Sequence, residues 1–592
     1  MTDSLTTAET PIRMKGIGVS PGVVIGPVFV MASDQARVVE RRVAPQSIDH
    51  EICRLEDALI ETRRQIKMIQ KDLEARTDMG DASILDAHLM VLDDRAFIEE
   101  VVNEIRNKYR NAESVVKEAS DRYAAILGSV EDDYLRERVA DIRDVARRII
   151  KNLSGGVETT LADLKDKCIV IGEDIPPSVT ASLRRDTVLG VATDLGSATS
   201  HTAVMARAME MPAVVGLRDI SARVSTGDKI VMDGTRGVVI IHPTASDLDE
   251  YGKLAEARKS IQQGLTSLQH KPAETKDGHR IVLSANAEGP EEVDAIIEYG
   301  AEGIGLFRSE YLYISRNASL GEDDQAEIYA DIAERLAPAP VIIRTLDIGG
   351  DKFLAGGRFR KETNPFLGCR SIRLSLLYPD HFKRQLRAIL RASVKGCVKI
   401  MYPMISNARE VIQANALLDE ARDELTRDGV PFKKDIEVGV MIETPAAALT
   451  AAVIAKNVSF FSLGTNDLVQ YTLAVDRVNE RVAYLYEPTH PAVLKLIKAT
   501  VDAGHAEGVW VGICGEMAAD PLMTPLLIGM GVDEMSVAPA AVPVVKDVIR
   551  NIEQSRAETL TAAALKCKSA TEVLGLCRDL TAEVAPELLE LI

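Results

Sequence analysis

The feature that most constrains the fold is a regular alternation of short β-rich runs and helical patterns in the second half of the chain. Eight such runs follow Asp277, and helix-patterned segments separate them. They begin at Ile281, Gly303, Val341, Val398, Ile436, Phe460, Val509 and Glu534. Eight alternating β and α units are typical of a closed (β/α)8 barrel, although a long excursion separates the third run from the fourth. We therefore predict a TIM barrel over residues 273–592.

The first half of the chain mixes two compositions. Residues 14–31 are rich in Gly and Val, which indicates short strands joined by tight turns. Between about Ser33 and Leu153 Gly and Pro are almost absent, and apolar residues recur at helical spacing. Strand-like runs then return at Cys168, Thr187, Pro212, Lys229 and Gly237. The pattern predicts one α/β domain over residues 1–32 and 154–244, interrupted by a bundle of roughly four helices over residues 33–153. Residues 245–272 are predicted to be a helical linker.

Charge and composition exclude several classes of function. The net charge of −19 disfavours nucleic acid and anionic membranes as general partners. No apolar run is long enough to span a bilayer, and the first residues lack the apolar core of a signal peptide. The seven cysteines are scattered without CxxC spacing, so neither a zinc site nor a disulfide framework is indicated. We expect a cytoplasmic α/β multidomain protein in a reducing environment.

Chemically active side chains recur where the predicted barrel strands end. Arg308 follows the second strand; Arg344 and Asp347 end the third; Glu443 ends the fifth; Asn466 and Asp467 end the sixth; Cys514 and Glu516 end the seventh. Arg370 lies in the excursion after the third strand, and Arg477 lies downstream of Asp467. Active sites of such barrels lie at the carboxyl ends of the strands, so we expect these side chains to converge.

Each of these residues alone has a simpler explanation. A lone arginine is more often a surface ion-pair partner, an acidic loop residue is more often a helix cap, and a buried cysteine is usually an apolar filler. Convergence changes this balance, because guanidinium groups bind phosphate and carboxylate oxygens while two carboxylates hold Mg²⁺. The set therefore predicts a site for a small phosphorylated acid with Mg²⁺.

A second candidate site is the stretch GSATSHTAVMARAMEMPAVVG, which contains His201. Ser197, Thr199 and Ser200 are good caps for a helix that would place His201 in its first turn. A helix N-terminus attracts anions and disfavours imidazolium, which would keep the ring neutral and nucleophilic. An isolated histidine more often caps or packs. The hydroxyl residues that precede His201 and the small residues Ala203 and Ala206 favour a histidine that accepts a phosphoryl group.

At these residues the chain resembles Enzyme I of the bacterial phosphoenolpyruvate:sugar phosphotransferase system. The resemblance covers nearly the whole length. It is carried by KGIGVSPG, TSHTAVMAR with PAVVG, GLFRSEYL, RTLDIGGDK, NPFLGCRSIR, LGTNDLVQY with AVDR, and CGEMA, which occur here in the family's order.

The resemblance implies a phosphoryl relay. Phosphoenolpyruvate would bind in the barrel, and His201 would attack its phosphorus. Cys514 would protonate the enolate to give pyruvate, and Glu443 and Asp467 would bind Mg²⁺. The remaining substrate-binding residues would be Arg308, Arg344, Arg370, Asn466, Asp467 and Arg477.

The resemblance also implies partners for the chain. The phosphohistidine would donate to a histidine-containing phosphocarrier protein that docks partly on the helical bundle, as the first step of sugar uptake. A homodimer would form through the C-terminal barrel. The chain departs from the family pattern at Ser197, where the family usually has Gly, and at Cys369, where it usually has Trp.

Three alternatives stay open from the sequence. Pyruvate phosphate dikinase and phosphoenolpyruvate synthase share a similar histidine loop and barrel, but carry a large ATP-binding domain ahead of the histidine. The nitrogen-branch Enzyme I usually carries an extra N-terminal sensor domain, for which the residues before Lys15 leave no room. A non-enzymatic paralogue would be expected to lack His201, Cys514 or a metal ligand, and all of these are present.

Overall fold

The structure is a computed structural model of the chain. It describes residues 11–31, 38–74, 82–128, 133–154, 167–175, 179, 183, 187–197, 200–209, 211–315, 320–349, 362–477, 479 and 481–590. Thr199, one of the predicted helix caps, lies outside these residues. The chain divides into two compact units between Lys259 and Ser260.

One sheet of eight strands organises the first unit. Its strands are Ile12–Lys15 (β1), Ile17–Ser20 (β2), Val23–Val30 (β3), Cys168–Gly172 (β4), Val188–Thr193 (β5), Ala213–Val215 (β6), Lys229–Asp233 (β7) and Val238–Ile241 (β8). Their order is β1-β8-β7-β3-β4-β5-β6-β2. The helices His201–Ala208 (α6), Ile220–Arg223 (α7) and Ala245–Thr266 (α8) belong to the same half of the chain.

Strand β3 shows how the helical bundle interrupts this sheet. It pairs antiparallel with β7, with Val24 opposite Met232. On its other edge it pairs parallel with β4, with Val28 opposite Ile169. Strands β3 and β4 are therefore neighbours in space, although the whole bundle lies between them in sequence. The predicted fold class, an α/β domain with an inserted helical bundle, is confirmed.

The described residues of the bundle contain five helices, compared with the roughly four predicted. They are Ile48–Glu74 (α1), Ala82–Asp93 (α2), Arg95–Lys108 (α3), Ala112–Gly128 (α4) and Asp133–Ser154 (α5). Helices α2 and α3 are separated by Asp94 alone, whose carboxylate accepts from the backbone N–H of Ala96 at 2.8 Å. A single capping residue without Gly or Pro starts the new helix, and a search for breaker residues misses it.

The second unit contains a closed barrel of eight parallel strands, as predicted. The strands are Val282–Ala287 (β9), Ile304–Arg308 (β10), Pro340–Arg344 (β11), Cys397–Tyr402 (β12), Val438–Ile442 (β13), Phe460–Leu463 (β14), Trp510–Ile513 (β15) and Glu534–Val537 (β16). Strand β16 closes the ring by pairing parallel with β9. The strands are short runs buried on both faces, as expected for a parallel sheet covered by helices.

Helices follow the barrel strands. They are Val293–Glu298 (α9), Glu310–Ser315 (α10), Glu322–Leu336 (α11), Ser371–Leu377 (α12), Pro379–Ala392 (α13), Ala408–Asp428 (α14), Pro445–Leu449 (α15), Ala451–Ala455 (α16), Thr465–Leu473 (α17), Pro491–Ala506 (α18), Glu516–Ala519 (α19), Thr524–Met530 (α20), Val542–Asn551 (α21), Gln554–Ala564 (α22) and Ala570–Val584 (α23). Their apolar faces join the strands in one core.

Local sequence signals set the ends of these helices. Helix α14 begins after Asn407, whose side chain accepts from the backbone N–H of Glu410 while the Glu410 carboxylate returns the contact, a capping box. It ends at Gly429, which adopts φ 72° in the left-handed region that glycine tolerates best. The N-caps fix where the strand-to-helix loops end, and these loops form the rim on which the candidate site lies.

Candidate active site

The carboxyl-end rim of the barrel brings together the side chains predicted at the strand ends. Arg308 and Arg344 are the last residues of β10 and β11. Glu443 and Cys514 each follow directly after a strand, and Asp467 lies in the first turn of α17. Since all eight strands are parallel, these ends share one face of the barrel, where the active sites of this fold lie.

Asp347 is the centre of the buried charge cluster. Its carboxylate lies 3.1 Å from Nη1 of Arg344 and 3.1 Å from Nη2 of Arg370, and it accepts from the hydroxyl of Ser371. Burial alone would raise its pKa, but the two guanidinium groups outweigh burial and lower the pKa of Asp347. Asp347 therefore stays ionised and holds both arginines in place.

The two deep arginines have further acidic neighbours. Arg344 is 8% exposed and also pairs with Glu310. Burial opposes its charge, yet the pKa of Arg344 is raised because Glu310 and Asp347 lie against it. Nη2 of Arg370 lies 3.9 Å from Asp467. Two fixed guanidinium groups next to acidic side chains form a charged cluster whose N–H donors suit phosphate or carboxylate oxygens.

Glu443 and Asp467 have the properties of a cation site. Glu443 is 2% exposed, and its Oε1 accepts from the backbone N–H of Met404. Burial, together with the negative charges on Asp467 and Asp347, raises the pKa of Glu443 to about 8. Burial likewise raises the pKa of Asp467. Buried carboxylates that repel one another fit a divalent cation, which would neutralise both.

The backbone beside Glu443 leaves room for such an ion. A Cβ at Gly464 would lie only 2.8 Å from Oε2 of Glu443, so glycine keeps this flank of the carboxylate open. Among the described residues, no group of three or more histidine, cysteine or acidic side chains has metal-ligand geometry. Glu443 and Asp467 themselves supply carboxylate oxygens, the type of ligand that Mg²⁺ prefers.

Cys514 is buried among apolar side chains of the barrel interior. It is 4% exposed and packs with Leu306, Ile342, Met401, Met441 and Phe460 in the barrel interior. Its Sγ donates to the carbonyl of Leu463 at 3.6 Å. Burial raises the pKa of the Cys514 thiol to about 11. The thiol therefore keeps its proton at neutral pH, as a proton donor must.

The remaining predicted residues lie at the more exposed edge. Arg308 Nη1 pairs with Glu288 at 2.6 Å, and Arg477 Nη1 lies 3.9 Å from Glu516. The Oδ1 of Asn466 accepts from the backbone N–H of Glu516 at 2.9 Å. Their acidic partners are partly or largely exposed, so these arginines can exchange them for an anionic substrate.

Several residues of the site were not among the predicted site residues. Glu310 and Ser371 contact the arginine cluster, and Gln385 supports it by donating to Ser309 at 3.0 Å and accepting from the backbone N–H of Leu346 at 3.0 Å. Glu310 follows Arg308 by two residues, so its position after a strand end was the available signal. Gln385 lies inside α13, and nothing in the sequence marks it.

The histidine segment belongs to the first unit. Helix α6 begins at His201, and Ser200 is its N-cap, accepting from the backbone N–H of Ala203 at 3.4 Å. The predicted helix start is thus confirmed. Ser197 accepts, through its carbonyl, from the backbone N–H of Ser200 at 3.1 Å. The side chain of His201 lies outside the described part of the structure.

Comparison with known proteins identifies related domains. Three family profiles match the chain: the PEP-utilising enzyme N-terminal domain over residues 15–138, the mobile domain over 164–237 and the PEP-binding domain over 262–554. Within the described residues, no helix is both long and apolar enough to cross a membrane.

Curated relatives share most of the length. The phosphoenolpyruvate-protein phosphotransferase of Staphylococcus carnosus is 40% identical over 569 residues, covering 96% of this chain and 99% of that protein. The corresponding protein of Geobacillus stearothermophilus is 41% identical over 563 residues, covering 95% and 97%. That of Haemophilus influenzae is 40% identical over 573 residues, covering 96% and 99%. The chain therefore belongs to the phosphoenolpyruvate-protein phosphotransferases, a family of PEP-utilising enzymes.

Proposed function

We propose that the protein transfers the phosphoryl group of phosphoenolpyruvate to His201 and then to a histidine-containing phosphocarrier protein, releasing pyruvate. The observation that carries this proposal is the buried cluster in which Asp347 fixes Arg344 and Arg370 beside Glu443 and Asp467. Guanidinium groups supply the positive charge that a transferring phosphoryl group needs. The names of the relatives support the same substrate.

Different residues of the site bind different parts of the substrate. Arg344 and Arg370 bind and orient the phosphoryl group, and Arg308, Asn466 and Arg477 hold the outer part of the substrate. Bound at Glu443 and Asp467, Mg²⁺ would neutralise charge on the phosphate and carboxylate oxygens.

Two side chains carry the bond changes. An imidazole nitrogen of His201 attacks phosphorus, and the bond from phosphorus to the enol oxygen breaks. The Sγ–H of Cys514 gives its proton to the methylene carbon of the enolate, which completes pyruvate. The thiolate then regains a proton from solvent.

The protonation states support these roles. The raised pKa of Cys514 keeps a proton available where the enolate forms. We further propose that the positive end of the α6 dipole, formed by the backbone N–H groups of its first turn, disfavours an imidazolium. The same N–H groups would stabilise the phosphohistidine that results.

An exposed apolar patch supports dimerisation through the barrel. Helices α14, α15 and α16 pack together and expose Ile412, Leu449 and Val453, with Leu449 74% exposed. We expect Leu449→Glu to shift the mass measured by sedimentation velocity from dimer to monomer. Ile60→Glu, a change at an exposed residue of the bundle, should leave the mass unchanged.

All seven cysteines are unpaired, which suits a reducing compartment such as the cytoplasm.

The reaction itself is tested by incubating the protein with labelled phosphoenolpyruvate and Mg²⁺. We expect one acid-labile, alkali-stable phosphate per chain, equimolar pyruvate, and transfer to an added phosphocarrier. His201→Ala should take up none. Labelling from ATP instead would place the protein with the dikinases, and no labelling from either donor would refute the proposal.

A further inference from the structure

Tyr471 connects two parts of the barrel rim that are far apart in sequence. It lies on α17, four residues after Asp467. Its hydroxyl donates to the carbonyl oxygen of Phe366 at 2.5 Å, across 105 residues of sequence. Phe366 belongs to the short helical turn Pro365–Leu367, in the excursion that also carries Arg370. The hydrogen bond therefore ties this excursion to the helix that carries a predicted metal ligand.

Phe366 in turn contacts Arg370. The guanidinium carbon of Arg370 lies 5.6 Å from the centroid of the Phe366 ring, within the range of a cation–π contact. On its polar side the same guanidinium reaches Asp347 at 3.1 Å. The Arg370 guanidinium is thus held between the Phe366 ring and the Asp347 carboxylate. The position of that ring depends on the Phe366 backbone, to which Tyr471 is hydrogen-bonded.

The backbone around Arg370 has a second anchor. Arg370 forms a bridge with Gly349, and the backbone N–H of Ser371 donates to the carbonyl of Ile348 at 3.0 Å. These contacts fix the segment beyond Arg370 to the chain that leaves β11. The Tyr471 hydrogen bond fixes it four residues before Arg370. Backbone contacts on both sides of Arg370 restrict the orientation of its side chain more than one contact would.

We propose that Tyr471 is a positioning residue, whose hydroxyl holds residues 365–370 so that Arg370 meets the phosphoryl group in a fixed orientation. The inference rests on the proposed function, because Arg370 must bind substrate for its placement to matter. Tyr471 itself touches no reacting atom. Its effect passes through the Phe366 carbonyl and ring to the guanidinium.

The test is Tyr471→Phe, which removes one oxygen and keeps the ring. Single-turnover phosphorylation is followed by rapid quench over a range of phosphoenolpyruvate concentrations at fixed Mg²⁺. Loss of one hydrogen bond predicts a rate constant at limiting substrate about three to ten times lower, mainly through weaker binding. Tyr484→Phe is the matched control, because Tyr484 is 76% exposed, and it should leave the rate unchanged.

A double-mutant cycle separates positioning from a general structural role. In an Arg370→Lys background, which keeps the charge but loses the planar fork, Tyr471→Phe should change the rate less than twofold. An equal fold-loss in both backgrounds, or a Tyr471→Phe protein that behaves as wild type, overturns the positioning role. A wild-type protein that accepts no phosphoryl group from phosphoenolpyruvate overturns the proposed function first, and the positioning role with it.

Discussion

Replacing Asp347 by Asn tests whether this carboxylate organises the candidate site. The substitution keeps the shape of the side chain and its ability to accept from Ser371, but removes the charge that faces Arg344 and Arg370 at 3.1 Å each. Removing one partner of a buried ion pair leaves an uncompensated charge, which typically costs about 3–5 kcal/mol.

The structure places the expected cost at the lower end of this range. Arg344 keeps Glu310 as a partner, and Arg370 keeps Asp467 at 3.9 Å. The loss of Asp347 also relieves repulsion that acts on Glu443. We therefore expect Asp347→Asn to lower the free energy of unfolding of the barrel by about 3 kcal/mol.

Trp510 provides the assay. It is the only tryptophan of the chain, and it stacks on Phe460 inside the barrel with ring centroids 4.7 Å apart. Urea unfolding followed by its fluorescence therefore reports on the barrel. Asp331→Asn is the control, since its pair with Arg335 is half exposed and should contribute about 0.5 kcal/mol. A loss below about 1 kcal/mol for Asp347→Asn would refute the view that Asp347 anchors both arginines.

Two further predictions concern protonation. Because burial raises the pKa of Cys514 to about 11, pyruvate formation should not decline near pH 9, where an ordinary thiol ionises, and Cys514→Ala should slow it about 100-fold or more in a stopped assay; a falling limb at pH 9 in wild type would contradict the role. In the bundle, burial opposes ionisation of Glu113, but a backbone hydrogen bond and the pair with Arg54 at 2.8 Å hold the pKa of Glu113 below its ordinary 4.5. Glu113 should therefore contribute stability that is present above pH 4.5 and lost as pH falls through its folded pKa. Thermal unfolding between pH 6 and 3 should depend less on pH in Glu113→Gln than in wild type, and equal slopes would count against this assignment.

The strands and their ends were predictable because each follows from a local pattern. A parallel barrel strand is a short apolar run buried on both faces, so its length and its bounding residues can be read directly. The parallel topology then places every strand end on one rim, which is why Glu443 and Cys514 could be expected to lie near each other without any contact information. Arg370 was included because it lies in the excursion after the third strand, but the excursion has no periodic pattern that would fix its position.

The remaining features depend on contacts between distant residues. Asp347 is central because Arg344 and Arg370 both reach it, and no spacing in the sequence encodes that geometry. Tyr471 and Phe366 are 105 residues apart, and their contact is between a side chain and a backbone carbonyl, which leaves no residue-type signal. The missed fifth helix has a local cause, because Asp94 both ends α2 and caps α3 without a glycine or proline.

The central claim is that the buried cluster of arginines and carboxylates binds phosphoenolpyruvate together with Mg²⁺. Calorimetric titration of phosphoenolpyruvate into the His201→Ala protein measures this binding without turnover. We expect binding that strengthens with Mg²⁺, and loss of that strengthening in Glu443→Gln added to the same background. Glu334→Gln, a change at an exposed carboxylate of α11, should leave the titration unchanged. Binding that is indifferent to Mg²⁺, or that survives Glu443→Gln with its Mg²⁺ dependence intact, would contradict the account.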